Sequence, residues 1–500
     1  MRGHMREEYV SRMAPAKSPR RTRRIAAGLI ALVSAVWMLF ADHPVVASGA
    51  TPATIPAATT PAATTPAATT TAATTTLGAA VVLPPTVAAK RLADVLRIAV
   101  SGRTSASEYN DIFAPSFTAH ISRAQLLTVF AAALGPTTKL DRILLSTPAG
   151  IAVVANGAGG RVKIELTVRS ASSKIDSLLL SPFSDAPPSP EPSSWNEIDT
   201  RLRNVAPVAR FVAARINTNG TCMPAHGFQP DTVGPLGSAF KLYVLAAVAD
   251  AGSRNGLEWN STIAVREDWK SLPSGDLQDQ PAGKRFNVAV LADKMISISD
   301  NTAADHLLRT VGRAQVEATM TTAGMAQPSK NRPFLTTREL FLLKASQYPK
   351  NAKRYLALDE AGRRALLDGA LASASLSAAK VWSTPRDVDT LEWFATPMDI
   401  CRAFAYLGRI EARSSAQAID HALTINDGGL KLDSNSWPTV WFKGGSEPGV
   451  LTLAYLAKNV KGERFVVVTM LSNPSKALNE QDAAMELLAI VKGAFTLLTR

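Results

Sequence analysis

Ser238 stands three residues ahead of Lys241 in the stretch PLGSAFKLYVLAAVADA (235–251), at the entry to an apolar run with helical spacing. Residues three apart on a helix share a face, so the lysine would lie beside the serine hydroxyl. A lysine drawn into apolar surroundings loses proton affinity and can accept the serine proton, leaving an oxygen nucleophile. The same residues also suit a helix-capping serine followed by a surface lysine. The spacing is common, and Ser377 with Lys380, in LSAAK, matches it equally well. Two further stretches set Ser238 apart. Ser299, Asp300 and Asn301 open a second helical pattern in ISDNTAADHLL. Lys443 ends a β-branched, aromatic strand in PTVWFKGGSEPG, where a Gly-Gly turn is expected before two more strands. Taken singly, Ser299 reads as a helix cap and Lys443 as an ordinary strand-end lysine. Together they supply a nucleophile, a proton acceptor and a second cation.

This ordered set, S-x-x-K, then S-D-N, then a lysine–glycine strand, resembles that of serine β-lactamases and penicillin-binding proteins, with ISDNTAADHLL closest to class A enzymes. The resemblance covers residues 197–500. It implies an α+β, transpeptidase-like domain with an antiparallel sheet flanked by helices. Ser238 would attack a carbonyl, Lys241 would take its proton, and Ser299 would relay a proton to the leaving group between Lys241 and Lys443. Asn301 would orient a substrate amide and hold Lys241, while Asp300 braces its loop. Lys443, Gly445 and Ser446 would line the substrate, and the backbone N–H groups of Ser238 and Ser446 would form the oxyanion hole. The implied function is that of a serine hydrolase forming an acyl-enzyme with β-lactams or related amides and esters, with no metal and no organic cofactor. A D-Ala-D-Ala peptidase, an esterase and a non-turnover β-lactam or peptidoglycan sensor remain open as alternatives. No G-x-S-x-G elbow is present, and His226 and His306 lack a paired nucleophile motif.

The chain departs from the family pattern twice. Gly444 replaces the hydroxyl residue of K-T-G or K-S-G that helps hold a β-lactam carboxylate. The E-x-x-L-N string carrying the family's deacylating glutamate is missing. Glu339, in RELFLL, is one candidate for that base, though it also reads as a capping acid in a first helical turn. Glu392, beside Trp393 and Phe394, is the other, since an acid in apolar surroundings can have a raised pKa. Between the second and third motifs lies an insertion with helical stretches.

These elements sit in a longer organisation. Residues 1–50 read as a signal peptide or membrane anchor, with SPRRTRR ahead of the apolar run 25–41 and small residues after it. An exported protein is expected. Residues 51–84 form an Ala/Thr/Pro-rich linker too poor in apolar surface to order itself. Residues 85–183 show two helical patterns and then four strand-like runs, expected to form a small α+β accessory domain resembling ketosteroid isomerases or polyketide cyclases. A Pro-rich linker follows at 184–196. The two-domain layout is similar to that of the β-lactamase-like serine hydrolases of clavulanic-acid biosynthesis clusters. Cys222 and Cys401 are the only cysteines; in an oxidising compartment they could pair, or stay as two buried thiols. The net charge of +13 is concentrated near the start, where residues 1–47 hold eight Lys/Arg against three acids. The remainder is scattered without a basic stripe, which argues against nucleic-acid binding. A monomer is expected.

Overall fold

The computed structural model describes residues 81–500, apart from 119–120, 170–171, 184–188, 273, 377–381 and 414–416. The apolar run 25–41, most of the Ala/Thr/Pro linker and the Ser377/Lys380 pair therefore lie outside the described residues. Among the described residues no helix is long and apolar enough to cross a membrane.

The first unit opens with α1 (Val87–Ser101), capped by the Thr86 hydroxyl on the Ala89 N–H at 3.1 Å. Ala88, Leu92, Val95 and Ala99 recur at helical spacing and are buried. After α2 (Arg123–Ala133) come four strands, β1 (Lys139–Ser146), β2 (Gly150–Gly157), β3 (Gly160–Val168) and β4 (Ile175–Pro182). They pair in chain order as an antiparallel meander. Alternate residues of β3, Val162, Ile164 and Leu166, join Leu92, Phe113 and Phe130 in one core. None of the chemistry-bearing residues lies here.

The second unit is the expected antiparallel sheet with helices on both faces. It begins with α3 (Trp195–Val205), β5 (Val208–Ile216) and β6 (Cys222–Phe228). Next come the helices α4 (Lys241–Asn255), α5 (Val288–Ser297), α6 (Asn301–Val311), α7 (Arg313–Thr322) and α8 (Thr337–Lys344). The insertion continues through short helices at Lys350–Leu356 and Glu360–Asp368. Then follow α9 (Pro397–Glu411), α10 (Ala418–Thr424), β7 (Thr439–Glu447), β8 (Val450–Lys458), β9 (Arg464–Ser472) and α11 (Glu480–Leu498).

The strand order is β7-β8-β9-β5-β6, antiparallel throughout. Both faces are covered, so its central strands read as continuous apolar runs. In β9, Val466, Val468 and Met470 pack towards α4 and α9, while Phe465, Val467 and Leu471 pack towards α3 and α11. The first of these two cores contains nearly all of α4, which is why LYVLAAVA is apolar around its whole circumference.

Cys222 and Cys401 form a disulfide that joins edge strand β6 to α9. It closes a loop with a sequence separation of 179, holding the serine, the S-D-N stretch and the insertion. Replacing both cysteines by serine should lower the unfolding free energy by about 2–5 kcal/mol, because so long a loop regains its unfolded-state entropy. Denaturant unfolding of wild type and double variant in parallel checks this.

Candidate active site

Lys241 opens α4 and is completely buried, at 0 % exposure. Its ammonium donates to Ser238 Oγ at 3.1 Å, Asn301 Oδ1 at 2.7 Å, the Ser299 carbonyl at 2.6 Å and Ser299 Oγ at 3.1 Å. Lys443, on β7 and 3 % exposed, donates to Ser299 Oγ at 3.1 Å and to the Gly444 carbonyl at 2.6 Å. The Ser299 hydroxyl thus stands between two lysines, and the Ser238 hydroxyl shares one of them.

Dry surroundings penalise both ammonium groups. Burial is the main cause that brings Lys241 down from its usual 10.5 to about 7, while the carboxylates of Asp300 and Asp305 pull the other way. Lys443 is pushed well down by burial and then by the charge on Lys241. At neutral pH a substantial share of Lys241 is therefore a free amine, 3.1 Å from the hydroxyl it would deprotonate.

The backbone explains how these side chains converge. Ser238 lies in a 3-10 turn, Gly237–Phe240, that leads into α4, and it caps neither element. The helix-cap reading fails because the hydroxyl is engaged by Lys241 instead. Ser299 has φ of 56°, a left-handed conformation that a serine adopts only when its surroundings hold it there. The cap of α6 is Asp300, one residue later than Ser299. Its carboxylate accepts from the N–H groups of Ala303 (2.7 Å), Asp276 (2.8 Å) and Leu277 (2.8 Å), so it ties the S-D-N turn to the loop beside it. The Asn301 side-chain amide donates to the Leu272 carbonyl at 3.1 Å, which orients its oxygen towards Lys241.

The Gly-Gly turn expected after Lys443 does not occur. β7 runs straight through Gly444 and Gly445 to Glu447, paired with β8 residue by residue. Both glycines remain in strand because other groups press on them. A Cβ on Gly445 would lie 2.6 Å from the Ser238 amide nitrogen and 2.2 Å from the Leu236 carbonyl oxygen. One on Gly237, which has φ of +51°, would lie 2.7 Å from the Ser446 amide nitrogen. The nucleophile turn and the end of β7 therefore touch backbone to backbone, bringing the amides of Ser238 and Ser446 to the same corner. Position 444 has a different neighbour: a Cβ there would come within 2.9 Å of the Phe442 ring, which stacks on Tyr455 at 4.7 Å.

The two candidate bases part company. Glu339 closes a capping box with Thr336 and receives Arg313 at 2.7 and 3.1 Å. Although burial pushes the other way, Arg313 and the Thr336 N–H hold its carboxyl below the usual range. All of its hydrogen bonds belong to the packing of α7 and α8, and none reaches the serine group. Glu392 is buried beside the nucleophile turn: the adjoining Trp393 stacks on Phe240 at 3.8 Å, and its carbonyl accepts from the Leu236 N–H at 2.8 Å. Burial, then the charge of Glu447, push Glu392 up to about 8.

Sequence reasoning passed over Lys344 and Glu447. Lys344, fully buried, reaches Glu447 Oε1 at 2.5 Å, and the carboxyl of Glu447 contacts that of Glu392. The available signal was Leu340, four positions before Lys344 on the buried side of the helix, which puts the lysine on the inner face. His306 is buried, with Nε2 accepting from the Arg266 N–H and Nδ1 on the Thr302 carbonyl. His226 stacks on Trp195 and meets Asp199 at 2.8 Å.

A lysine-bound serine at the edge of an antiparallel sheet, faced by a second lysine through a shared hydroxyl, defines a β-lactamase-like domain. The chain belongs to the beta-lactamase enzyme family, whose model matches residues 196–491. Among solved structures it is similar to PBP-A, at 16 % identity over 62 % of this chain and 100 % of that one, with a TM-score of 0.40. It is also similar to a β-lactamase from Sphaerobacter thermophilus, at 18 % identity over 61 % and 96 % of the two chains, with a TM-score of 0.41. A β-lactamase from Francisella tularensis is 13 % identical over 61 % of this chain and 100 % of its own, with a TM-score of 0.42. Comparison with curated proteins finds no match.

Two substitutions test the backbone contacts. Gly445→Ala should move the strand off the nucleophile turn and cut acylation by about 10²–10³-fold, the loss expected for one oxyanion donor. Gly444→Thr, which restores the family hydroxyl, should cost about 1–3 kcal/mol of stability by overpacking against Phe442. Acylation kinetics and thermal unfolding read the two effects.

Proposed function

We propose that the protein is an exported serine hydrolase that opens β-lactams or related amides and esters through an acyl-enzyme on Ser238. The observation that carries this reading is the buried Lys241 amine, 3.1 Å from Ser238 Oγ and shifted to about 7. Neutral Lys241 takes the hydroxyl proton as Oγ bonds to the carbonyl carbon. The oxyanion that forms is met by the amides of Ser238 and Ser446. Collapse breaks the bond to the leaving nitrogen or oxygen, which receives a proton through Ser299 from the lysine pair. The products are a Ser238 ester and a released or ring-opened amine or alcohol. Export rests on the basic and apolar N-terminal segment.

A second reading, slow turnover with a long-lived acyl-enzyme, is favoured by the state of the two glutamates. Glu392 carries a proton at neutral pH and Glu339 is held by Arg313, so neither is a ready base for water. The family reading and this one share the acylation step and differ only in the lifetime of the ester.

Incubating the mature protein with a chromogenic cephalosporin and weighing it intact tests the proposal. A mass adduct or turnover should appear in wild type and vanish in Ser238→Ala; neither in wild type would count against β-lactams as substrates. The acylation rate should climb about tenfold per pH unit while Lys241 is mostly charged and level off above about 7, because only the amine accepts the proton.

A further inference from the structure

We propose that Glu392, as a carboxylic acid, is a positioning residue: it holds the Glu447 side chain at the end of β7 and thereby keeps the Ser446 amide against the nucleophile turn. This rests on the reading of Ser238 as the acylated residue. Glu447 directly follows Ser446, and its side chain lies on the same face of β7 as Lys443 and Gly445, four and two residues back. One of its oxygens is 2.5 Å from the Lys344 ammonium, which is 0 % exposed. Its other oxygen, Oε2, is buried and meets no donor among the described residues, and the carboxyl close to it is that of Glu392, itself 5 % exposed.

Glu392 is fixed on its other side. Its Oε2 accepts from the Trp393 N–H at 2.6 Å. Trp393 grips the nucleophile turn through the Phe240 ring and the Leu236 N–H. Asn331 binds the N–H and the carbonyl of Phe394 at 2.7 and 2.9 Å, so the segment 387–395, a strap along the nucleophile turn, cannot slide. A single buried carboxyl therefore links the turn bearing Ser238 to the strand bearing Ser446.

The link needs a proton. Two carboxylates facing each other with one ammonium would leave a net negative charge in a dry site, and a shared proton turns that repulsion into a hydrogen bond. The charged groups around the pair are Lys344 from α8, Asp387 from the strap itself, and Glu480 from the first turn of α11. Glu480 bonds the Ser446 hydroxyl, and burial and Glu447 push it up to about 7. Arg386 is directed elsewhere, over the rings of Tyr348 and Trp382, with a bond to the Lys344 carbonyl. Burial and Glu447 place loss of the Glu392 proton near 8. Above that pH the strap and strand repel and the Ser446 amide is no longer held. No proton passes from Glu392 to substrate.

The test is the pH profile of acylation by a chromogenic cephalosporin, with p-nitrophenyl acetate as a second acyl donor, followed by rapid-quench intact mass. Wild type, Glu392→Gln, Glu392→Leu and Glu480→Gln are compared. Wild-type acylation should fall by about tenfold per pH unit above about 8. Glu392→Gln donates the same hydrogen bond without titrating, so it should acylate with no such alkaline fall. Glu392→Leu, if it folds, should acylate poorly at every pH. An unchanged alkaline fall in Glu392→Gln overturns the inference and assigns that limb to Lys443, or to Glu480 if Glu480→Gln removes it. Normal acylation at all pH in Glu392→Gln with a wild-type alkaline fall supports it, whereas normal acylation with the adduct frozen in place overturns it and makes Glu392 the deacylating group. Absence of any adduct in wild type with either donor overturns the reading of Ser238 itself, and this inference with it.

Discussion

An ammonium group in a place without water is the constraint around which the second unit is organised. Lys241 is out of solvent and must be met by acceptors from the protein, and all of them come from elements that would otherwise have no reason to meet. The 3-10 turn gives a hydroxyl, the left-handed Ser299 gives a carbonyl and a hydroxyl, and α6 gives an amide oxygen. Asp300, also buried, then secures that turn through three backbone donors. Satisfying the lysine and building a nucleophile are one and the same arrangement. The low proton affinity that makes the lysine useful follows from the burial that makes it demanding.

The second lysine changes the chemistry of the hydroxyl between them. A serine flanked by two amines, neither comfortable as a cation, can pass a proton in either direction with little change in its own position. That is what a leaving group needs in the step after attack. The glycines of β7 serve the same corner from another side. The missing side chain of Gly445, opposite that of Gly237, lets two backbones approach closely enough for amides to converge, a contact no larger residue would leave open.

Much of this was legible from the chain. The S-x-x-K spacing recurs at Ser377 and Lys380, so it was the ordered company of S-D-N and Lys443, each at the edge of a regular element, that singled out Ser238. The antiparallel sheet flanked by helices came with the resemblance those motifs carry, and the apolar runs of β8 and β9 agree with a sheet covered on both faces. What failed depended on distant partners. Gly444 and Gly445 read as a turn because glycine pairs usually are turns; the approach of the Ser238 turn to Gly445 and of the Phe442 ring to Gly444 is visible only in the fold. The cap role that Ser238 also suited is absent, because its hydroxyl is met by Lys241, as the i,i+3 spacing had suggested. Glu392 stood out by its apolar neighbours, but its partners Lys344 and Glu447 were passed over because each looks ordinary in its own segment and the three come from a helix, a strand and a loop.

The order of the strands has a consequence for when the site can exist. β5, the first strand of the second unit, pairs along its whole length with β9, the last, matching Val208 with Ser472 and Ile216 with Arg464. The middle of the sheet is thus a seam between the two ends of the unit. While the chain is still being synthesised, β5 has no neighbour on that side, and β7, which reaches β5 only through β8 and β9, has no sheet to join. The segment from Ser238 to Asn301 is by then complete, yet it lacks the second lysine and the opposing amide. The surroundings of Ser238 therefore begin to form early, and the corner they share with Lys443 and Ser446 is closed last.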